Sequence, residues 1–284
     1  MIKHDRVPIA MTMTHELPAD VLAYYDRYAE EDRLSIDAFQ LEFERTKQIL
    51  TRVVPKPPAR VLDVGGAAGA YSLWLASLGY ETHLVDASER LVSEARRRSQ
   101  AADRPIASLQ TADARHLPHP DASMAAVLVM GPLYHLTARD DRLQALREAR
   151  RVLTRPGILV AAAISRYASA LDGLVRGLVR DPAFVEIRNR DLREGQHRNE
   201  TNRLDYFTTA YFHVPEELPM ELAEAGFSRI RVLGVEGPAW VFPDFATRWA
   251  DPVTRADIVE LAGLLEAEPS IVGMSAHLLT IGEI

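Results

Sequence analysis

The sequence predicts an α/β protein: a doubly wound, mostly parallel sheet of seven strands, helices on both faces, and a helical or irregular cap insertion. Three observations predict it. Short apolar runs alternate with amphipathic runs at helical spacing from residue 60 to residue 165. The first apolar run, "RVLDV", ends directly in the glycine-rich turn "GGAAGA", and a helix-like run follows. The chain has 284 residues and is 47% hydrophobic, which suits one large domain or one domain with a substantial insertion.

Each element has its own signal. Residues 1–18 read as a loose arm. From Asp20 to Leu50 apolar residues recur at helical spacing, through Val21, Tyr24, Tyr25 and Tyr28 and then Ile36, Phe39, Phe43, Ile49 and Leu50. "VVPKPPAR" breaks this helix and feeds a strand. RVLDV is the first strand and AYSLWLASL the helix after it. ETHLVDA is the second strand, and Ser88 caps the helix SERLVSEARRRS. SLQTADA is the third strand and MAAVLVMG the fourth, apolar enough for a central parallel position. RDDRLQALREARRVL is amphipathic; the turn "TRPG" and the fifth strand ILVAAAIS follow. The rhythm breaks over residues 166–213, which are polar and arginine-rich with one helical piece near Ala168 to Val179. It returns with a helix in VPEELPMELAEAGF and a strand in SRIRVLGVEG. Residues 238–270 are irregular and helical, and SAHLLTIGEI is the last strand.

Composition narrows the function. The net charge of -7 disfavours nucleic-acid backbones, which reward a basic stripe. The absence of cysteine excludes disulfides, thiolate nucleophiles and zinc-thiolate sites. No segment has the roughly 18 uninterrupted apolar residues of a membrane span, and the N-terminus lacks the apolar core of a signal peptide. A cytoplasmic protein, without a membrane or nucleic-acid partner, is expected. A homodimer stays possible.

Gly65, Gly66 and Gly69 follow the first strand, where glycine permits a tight turn and lets a ligand approach the backbone. Free N–H groups at the start of the next helix would suit a carboxylate or a pyrophosphate. Asp86 ends the second strand about twenty residues on, followed by Ala87. In nucleotide sites an acid there accepts from ribose hydroxyls. A pattern G-x-G-x-x-G, as in nicotinamide dinucleotide enzymes, fits here only with substitutions.

The stretch from Asp63 resembles the first motif, D/E-x-G-x-G-x-G, of class I S-adenosylmethionine-dependent methyltransferases. Asp63, Gly65 and Gly69 match, Gly66 lies between them, and Ala67 replaces the middle glycine. "TADARHLP" resembles the motif that meets adenine, with Asp113 accepting from its amino group and Ala114 offering a backbone N–H. "MAAVLVMGPLYHL" resembles the fourth-strand motif that ends at the transfer site, with Met130 and Gly131 beside the cofactor. "EARRVLTRPGILVAA" and residues 216–227 also fit. "YYDRYAEEDRL", "ISRYAS", "GQHRN", "FTTAYFHVPEEL" and "GVEGPAW" extend the resemblance to bacterial small-molecule enzymes of the broad methyltransferase type 11 kind.

The resemblance implies a Rossmann-like fold, S-adenosylmethionine as cofactor and S-adenosylhomocysteine as product. It implies four regions. Residues 1–58 cover the cofactor, 59–165 bind it, 166–213 form a substrate cap, and 214–284 complete the core with a second insertion near 238–270. In such proteins the N-terminal helix lies over the cofactor, which makes Tyr24, Tyr25 and Arg33 candidates, with the arginine or a tyrosine for the methionyl carboxylate.

Transfer to oxygen or nitrogen of a small acceptor needs alignment and, for a protonated nucleophile, a base. His135, after the fourth strand, and His197 and His213, in the insertion, are the catalytic candidates. Tyr134, Arg166, Arg198, Tyr206, Tyr211 and Glu236 are the substrate candidates, the arginines for a carboxylate or phosphate. His277 reads as structural. No metal site is expected, because no carboxylate cluster stands at the strand ends. "GPLY" stands where base methyltransferases have a "PPY"-type tetrad. Two alternatives remain: an NAD(P)-dependent oxidoreductase and a non-catalytic S-adenosylmethionine-binding protein. The chain lacks a Tyr-x-x-x-Lys pair and has no lysine after residue 56.

Overall fold

The computed structural model describes residues 19–27, 30–36, 38–201, 203–242 and 244–284; Tyr28 lies outside them. Two helices come first, α1 (Ala19–Arg27) and α2 (Phe39–Val53), with a 3-10 turn at Glu30–Ser35 between them. The alternating unit follows: β1 (Arg60–Val64), α3 (Ala70–Ser77), β2 (Glu81–Asp86), α4 (Glu89–Gln100), β3 (Ser108–Thr111), β4 (Met124–Val129), α5 (Pro132–His135), α6 (Arg139–Val152) and β5 (Leu153–Ser165). The cap stretch holds α7 (Ala168–Val175), α8 (Pro182–Glu194), β6 (Gln196–His197) and β7 (Ala210–His213). The chain then forms α9 (Glu217–Glu224), β8 (Ser228–Gly234), α10 (Phe245–Ala250), α11 (Pro252–Leu265) and β9 (His277–Glu283).

The strands run β3-β2-β1-β4-β5-β9-β8. β3 to β5 are parallel, and β9 is antiparallel to β5 and β8. This is the expected seven-stranded sheet. The full sheet has nine strands, because the short β6–β7 ribbon pairs with the end of β5 through Ile164↔Phe212 and Ser165↔His213.

Alternation in the strands builds two cores. Leu62, Val64, Val127 and Val129 face Leu146 and Ala149 of α6, together with Leu222 of α9. Val61, Ala126 and Leu128 face Ile49 and Leu50 of α2, together with Leu75 of α3. Period-two strands with apolar residues on both sides require helices on both sides.

Local chemistry sets the element ends. The Ser88 hydroxyl accepts from the Leu91 N–H at 3.3 Å and caps α4. α7 stops at Val175, short of the predicted Val179. Gly177 turns left-handed (φ +70°), and the Leu178 N–H closes on the Gly173 carbonyl at 2.7 Å. The stretch "TRPG", read as a turn, lies inside β5. β1 connects onward toward β2, whereas β4 connects toward β5 on its other side. Their adjacent carboxyl ends therefore make a topological switch point, where open α/β sheets leave a crevice.

Candidate functional site

That crevice is a cavity of about 1090 Å³ of empty space, counting its open mouth. Its floor is Val64 to Ala68 after β1, Asp86 to Ser88 after β2, Ala112 to Ala114 after β3, and Met130 to Pro132 after β4. Its roof is Val21, Leu22 and Tyr25 of α1 with Glu30, Glu31, Arg33 and Leu34 of the 3-10 turn. Tyr134 and His135 of α5 form one wall.

The glycine turn is shaped by what a side chain would hit. Gly65 has φ +73°, and a Cβ there would lie 2.4 Å from Pro132 Cδ. At Gly66 a Cβ would lie 2.7 Å from Leu84 Cδ1 and 2.8 Å from Asp63 Oδ2. Ala67, the substitution in the motif, also has a left-handed φ of +46°. Its N–H donates to Asp86 Oδ2 at 2.9 Å, which holds the loop in that conformation.

Asp63 stands behind this loop rather than on the cavity. It is buried, accepts from the Ser72 hydroxyl at 2.7 Å through Oδ2, and leaves Oδ1 without a hydrogen-bond partner among the described residues. Burial pushes its carboxyl up to about 6. Gly69, at φ +84°, begins α3 and likewise sits off the lining. Asp86 lines the cavity. Its Oδ1 accepts from the Ser88 N–H at 2.8 Å and its Oδ2 from Ala67, which leaves each oxygen a further lone pair for ligand hydroxyls. Burial raises its carboxyl above the ordinary range. Asp113 also lines the cavity, but the Arg115 guanidinium grips it at 2.5 to 3.1 Å, and the Arg115 N–H adds a bond at 2.8 Å.

A hydrogen bond ties the roof to the wall. The Tyr25 hydroxyl and His135 Nε2 are 2.8 Å apart, and His135 Nδ1 lies 3.1 Å from the Thr209 carbonyl. A carbonyl only accepts, so Nδ1 carries the proton and Nε2 accepts from Tyr25. Burial lowers His135 to about 4, so its ring is neutral near pH 7. The Tyr134 hydroxyl donates to the Met130 carbonyl at 3.2 Å. Arg33 reaches the cavity with its fork already taken, by Glu42 at 2.6 and 3.2 Å and by Glu30 at 2.8 Å.

Residues 61–157 match the family model of a methyltransferase domain. The chain therefore carries a methyltransferase domain. Methyltransferase GfsG of Streptomyces halstedii is 34% identical over 160 residues, covering 55% of this chain and 53% of that protein. The demethylmenaquinone methyltransferase of Beutenbergia cavernae is 32% identical over 142 residues, covering 49% and 55%. The chain thus spans about half the length of these curated relatives. A Thermotoga maritima crystal structure, described as an S-adenosylmethionine-dependent methyltransferase and possible histamine N-methyltransferase, aligns with a TM-score of 0.55. It is 20% identical over 92% of this chain and 98% of its own, a likeness of fold.

Within the methyltransferase fold, the structure gathers Tyr25, Arg33, Gly65, Gly66, Ala67, Asp86, Ala87, Asp113, Ala114, Met130, Gly131, Tyr134 and His135 on one cavity. The other predicted residues lie elsewhere. Tyr24 is buried beneath α1, edge-on to Tyr25 and Phe207. His197 is buried in the cap, with Nδ1 at 2.9 Å from Asp191 and Nε2 at 2.8 Å from the Tyr206 carbonyl. His213 is buried 3.6 Å from Glu221, which Arg142 already pairs. Neither histidine reaches the cavity, because the β6–β7 ribbon turns both inward.

The expected substrate arginines are also engaged. Arg166 donates to the Phe212 carbonyl at 2.7 Å and to Glu217 at 2.8 and 3.0 Å. Arg198 donates to the His197 carbonyl at 2.8 Å and to Gln196 at 2.6 Å. Tyr206 donates to Asp181 at 2.7 Å, and Tyr211 to Glu217 at 3.0 Å. Glu236 is buried and accepts from the His277 ring at 2.6 Å and its backbone N–H at 3.0 Å. With Glu42 these two place ligand-capable atoms within 4.8 Å, a cluster not foreseen in the sequence. Its groups bind one another and Arg33, so the cluster reads as an ion-pair network. Burial opposes the His277 charge, but Glu42 and Glu236 outweigh it and hold the ring above its ordinary value. Glu30, Glu31, Leu34 and Thr209 are among the polar and roof residues of the site that sequence reasoning missed. Nothing in their spacing marks them, because a 3-10 turn and a distant carbonyl bring them in.

Proposed function

We propose that this chain transfers a methyl group from S-adenosylmethionine to an oxygen or nitrogen of a small molecule, releasing S-adenosylhomocysteine. The reading rests on one observation: Asp86 and a neutral His135 face the same roofed cavity at the switch point. The donor set suits the cofactor. Asp86 has lone pairs left for ribose hydroxyls, and the small side chains of Ala112 and Ala114 line the cavity beside Asp113, where adenine would lie. The turn Gly65 to Ala67 brings backbone close to the methionyl part. Glu30, Glu31 and Asp113 pair with Arg33, Arg90 and Arg115, whereas Asp86 accepts from the backbone N–H groups of Ala67 and Ser88, so its uncompensated charge favours a cationic ligand.

When bound, the cofactor supplies an electrophilic methyl group on a sulfonium. The chain supplies alignment, worth several kcal/mol, and exclusion of water by α1. His135 holds a lone pair at Nε2, oriented by Nδ1–H on the Thr209 carbonyl. If Tyr25 gives way, the acceptor's O–H or N–H donates to that lone pair. Charging a ring that titrates near 4 costs about 4 kcal/mol at pH 7, so His135 orients the nucleophile more than it removes the proton. With Arg33 committed to Glu42, the cavity favours a neutral or cationic acceptor. The name of the Beutenbergia relative, which acts on demethylmenaquinone, supports a small-molecule acceptor. In this reading residues 59–165 bind the donor. The described residues between 19 and 58 cover it, and 166–213 act through the Thr209 contact with His135. Residues 214–284 complete the core.

The test is calorimetric titration with S-adenosylhomocysteine, with NADH as control. S-adenosylhomocysteine binding that is lost in Asp86→Ala supports the reading, and methyl transfer to screened amines and phenols completes it. Binding of NADH alone moves the chain to the oxidoreductases. Cofactor binding without transfer to any acceptor class favours a non-catalytic binding protein.

A further inference from the structure

Phe207 has φ +64° and ψ -172°. That region is costly for any residue with a Cβ and is occupied almost only by glycine. A bulky residue keeps such a conformation only where its surroundings over-determine it. Here they do. The Asn199 side-chain amide donates to the Phe207 carbonyl at 2.7 Å and to the Arg203 carbonyl at 2.8 Å, and the Phe207 N–H donates to the Leu204 carbonyl at 3.2 Å.

The strained backbone aims the ring at three separate parts of the molecule. Its centroid is 5.6 Å from the Tyr24 ring of α1, 5.8 Å from the His135 ring on the cavity, and 5.9 Å from the His197 ring inside the cap. The next two residues reach the same places through polar bonds. The Thr209 carbonyl accepts from His135 Nδ1–H, the Thr209 hydroxyl bonds the Asp20 carboxylate, and the Thr208 hydroxyl donates to the Asp20 carbonyl at 3.4 Å. Residues 207–209 therefore bind the roof helix and the cavity histidine together.

We propose that Phe207 is a positioning residue: its strained backbone sets the ring that seats α1 over the cavity and buries the His135 imidazole. The inference rests on His135 facing the acceptor only for its consequence in catalysis; the positioning itself is independent of any reaction. The ionisable groups around His135 are Tyr25 and Tyr134, in ring contact with it, and Asp20 farther out. A change at Phe207 leaves all three residues in place in the sequence, but Tyr25 and Asp20 ride on α1 and move with it, so α1 exchange is read beside the His135 titration.

The test uses Phe207→Gly, which suits the backbone and deletes the ring, Phe207→Ala as a second deletion, and Phe207→Leu as the conservative variant. The His135 ring is followed by NMR titration and α1 by amide hydrogen exchange, in the full chain without substrate. The expected result is a His135 titration that moves upward from about 4 toward the ordinary histidine range in Gly and Ala. Exchange in α1 rises roughly tenfold in the same variants, and Leu restores most of both. A folded Gly or Ala variant whose His135 titration and α1 exchange match the parent overturns the proposal. Because neither readout needs turnover, a negative result here is distinct from failure of the methyltransferase reading.

Discussion

The hydroxyl of Tyr25 donates to Nε2 of His135 across 2.8 Å, and the two rings meet edge to face at 5.3 Å. The pair joins residues 110 positions apart and is the roof's polar bond to the cavity wall. A neutral hydrogen bond of this kind contributes about 1 kcal/mol. Tyr25→Phe keeps the ring and removes the bond. We expect S-adenosylhomocysteine to bind about fivefold more weakly if this bond holds α1 over the ligand. In a cycle with His135→Phe the two losses should fall short of additive by about 1 kcal/mol. Calorimetry on the four proteins measures this, and strict additivity would break the link between roof and wall.

His135 also makes stability depend on pH. Its ring titrates near 4 when folded and at the ordinary value near 6.5 when unfolded. Between those values the unfolded chain binds the extra proton, so stability falls as pH drops from about 6.5 to about 4. His135→Phe lacks this dependence. Relative to that variant, the parent should lose roughly 2–3 kcal/mol over the window and nothing above pH 7. Urea unfolding at several pH values reads it directly.

Arg166 separates what a position in sequence suggests from what the fold does with it. It follows β5 at the ligand edge, yet its fork is spent on Glu217 and the Phe212 carbonyl. Arg166→Ala should cost about 2 kcal/mol of stability, discounted for the partial exposure of Glu217. S-adenosylhomocysteine affinity in the folded variant should stay within about twofold. A tenfold loss of affinity without loss of stability would return Arg166 to the site.

The same contrast explains how much was legible. The floor of the cavity comes from local grammar: a strand, a glycine turn, and an acid at the next strand end. That grammar names Gly65, Asp86, Asp113 and Gly131, which line one cavity, and alternation in Val61 to Val64 set both cores. The cap follows no such grammar. His197 and His213 have the residue type of a base, but which way a two-residue ribbon turns them depends on Asp191, Glu221 and the end of β5. Those contacts are tertiary, as are the ones that bring Glu30 and Thr209 to the site.

Ala67 is the one departure from the glycine motif, and its φ of +46° gives the departure a measurable cost. An alanine in the left-handed region loses about 1–2 kcal/mol, while a glycine there gives back about 0.4–1 kcal/mol through the looser unfolded chain. Ala67→Gly should therefore stabilise the protein by up to about 1 kcal/mol. Its N–H still reaches Asp86, so cofactor affinity should be unchanged. Thermal unfolding with and without S-adenosylhomocysteine measures both, and a destabilised variant would mean that the Cβ packs usefully.

Asp63 should show the opposite pH signature to His135. Its carboxyl titrates near 6 when folded and near 3.8 when unfolded, because burial disfavours the charge and Oδ1 has no hydrogen-bond partner among the described residues. Between those values the folded chain binds the extra proton, so this residue's contribution to stability falls as pH rises from about 4 to about 6 and is level above. Asp63→Asn keeps the acceptor for Ser72 and cannot ionise. Whatever its offset at pH 4, the variant should gain roughly 2–3 kcal/mol on the parent by pH 7. The gain should shrink when S-adenosylhomocysteine is bound only if the ligand recruits Asp63 through the loop, because the carboxylate itself lies behind Gly66 and off the cavity. Denaturant curves at pH 4, 5, 6 and 7 give the slope. A gap that does not widen with pH would place a compensating donor beside Oδ1.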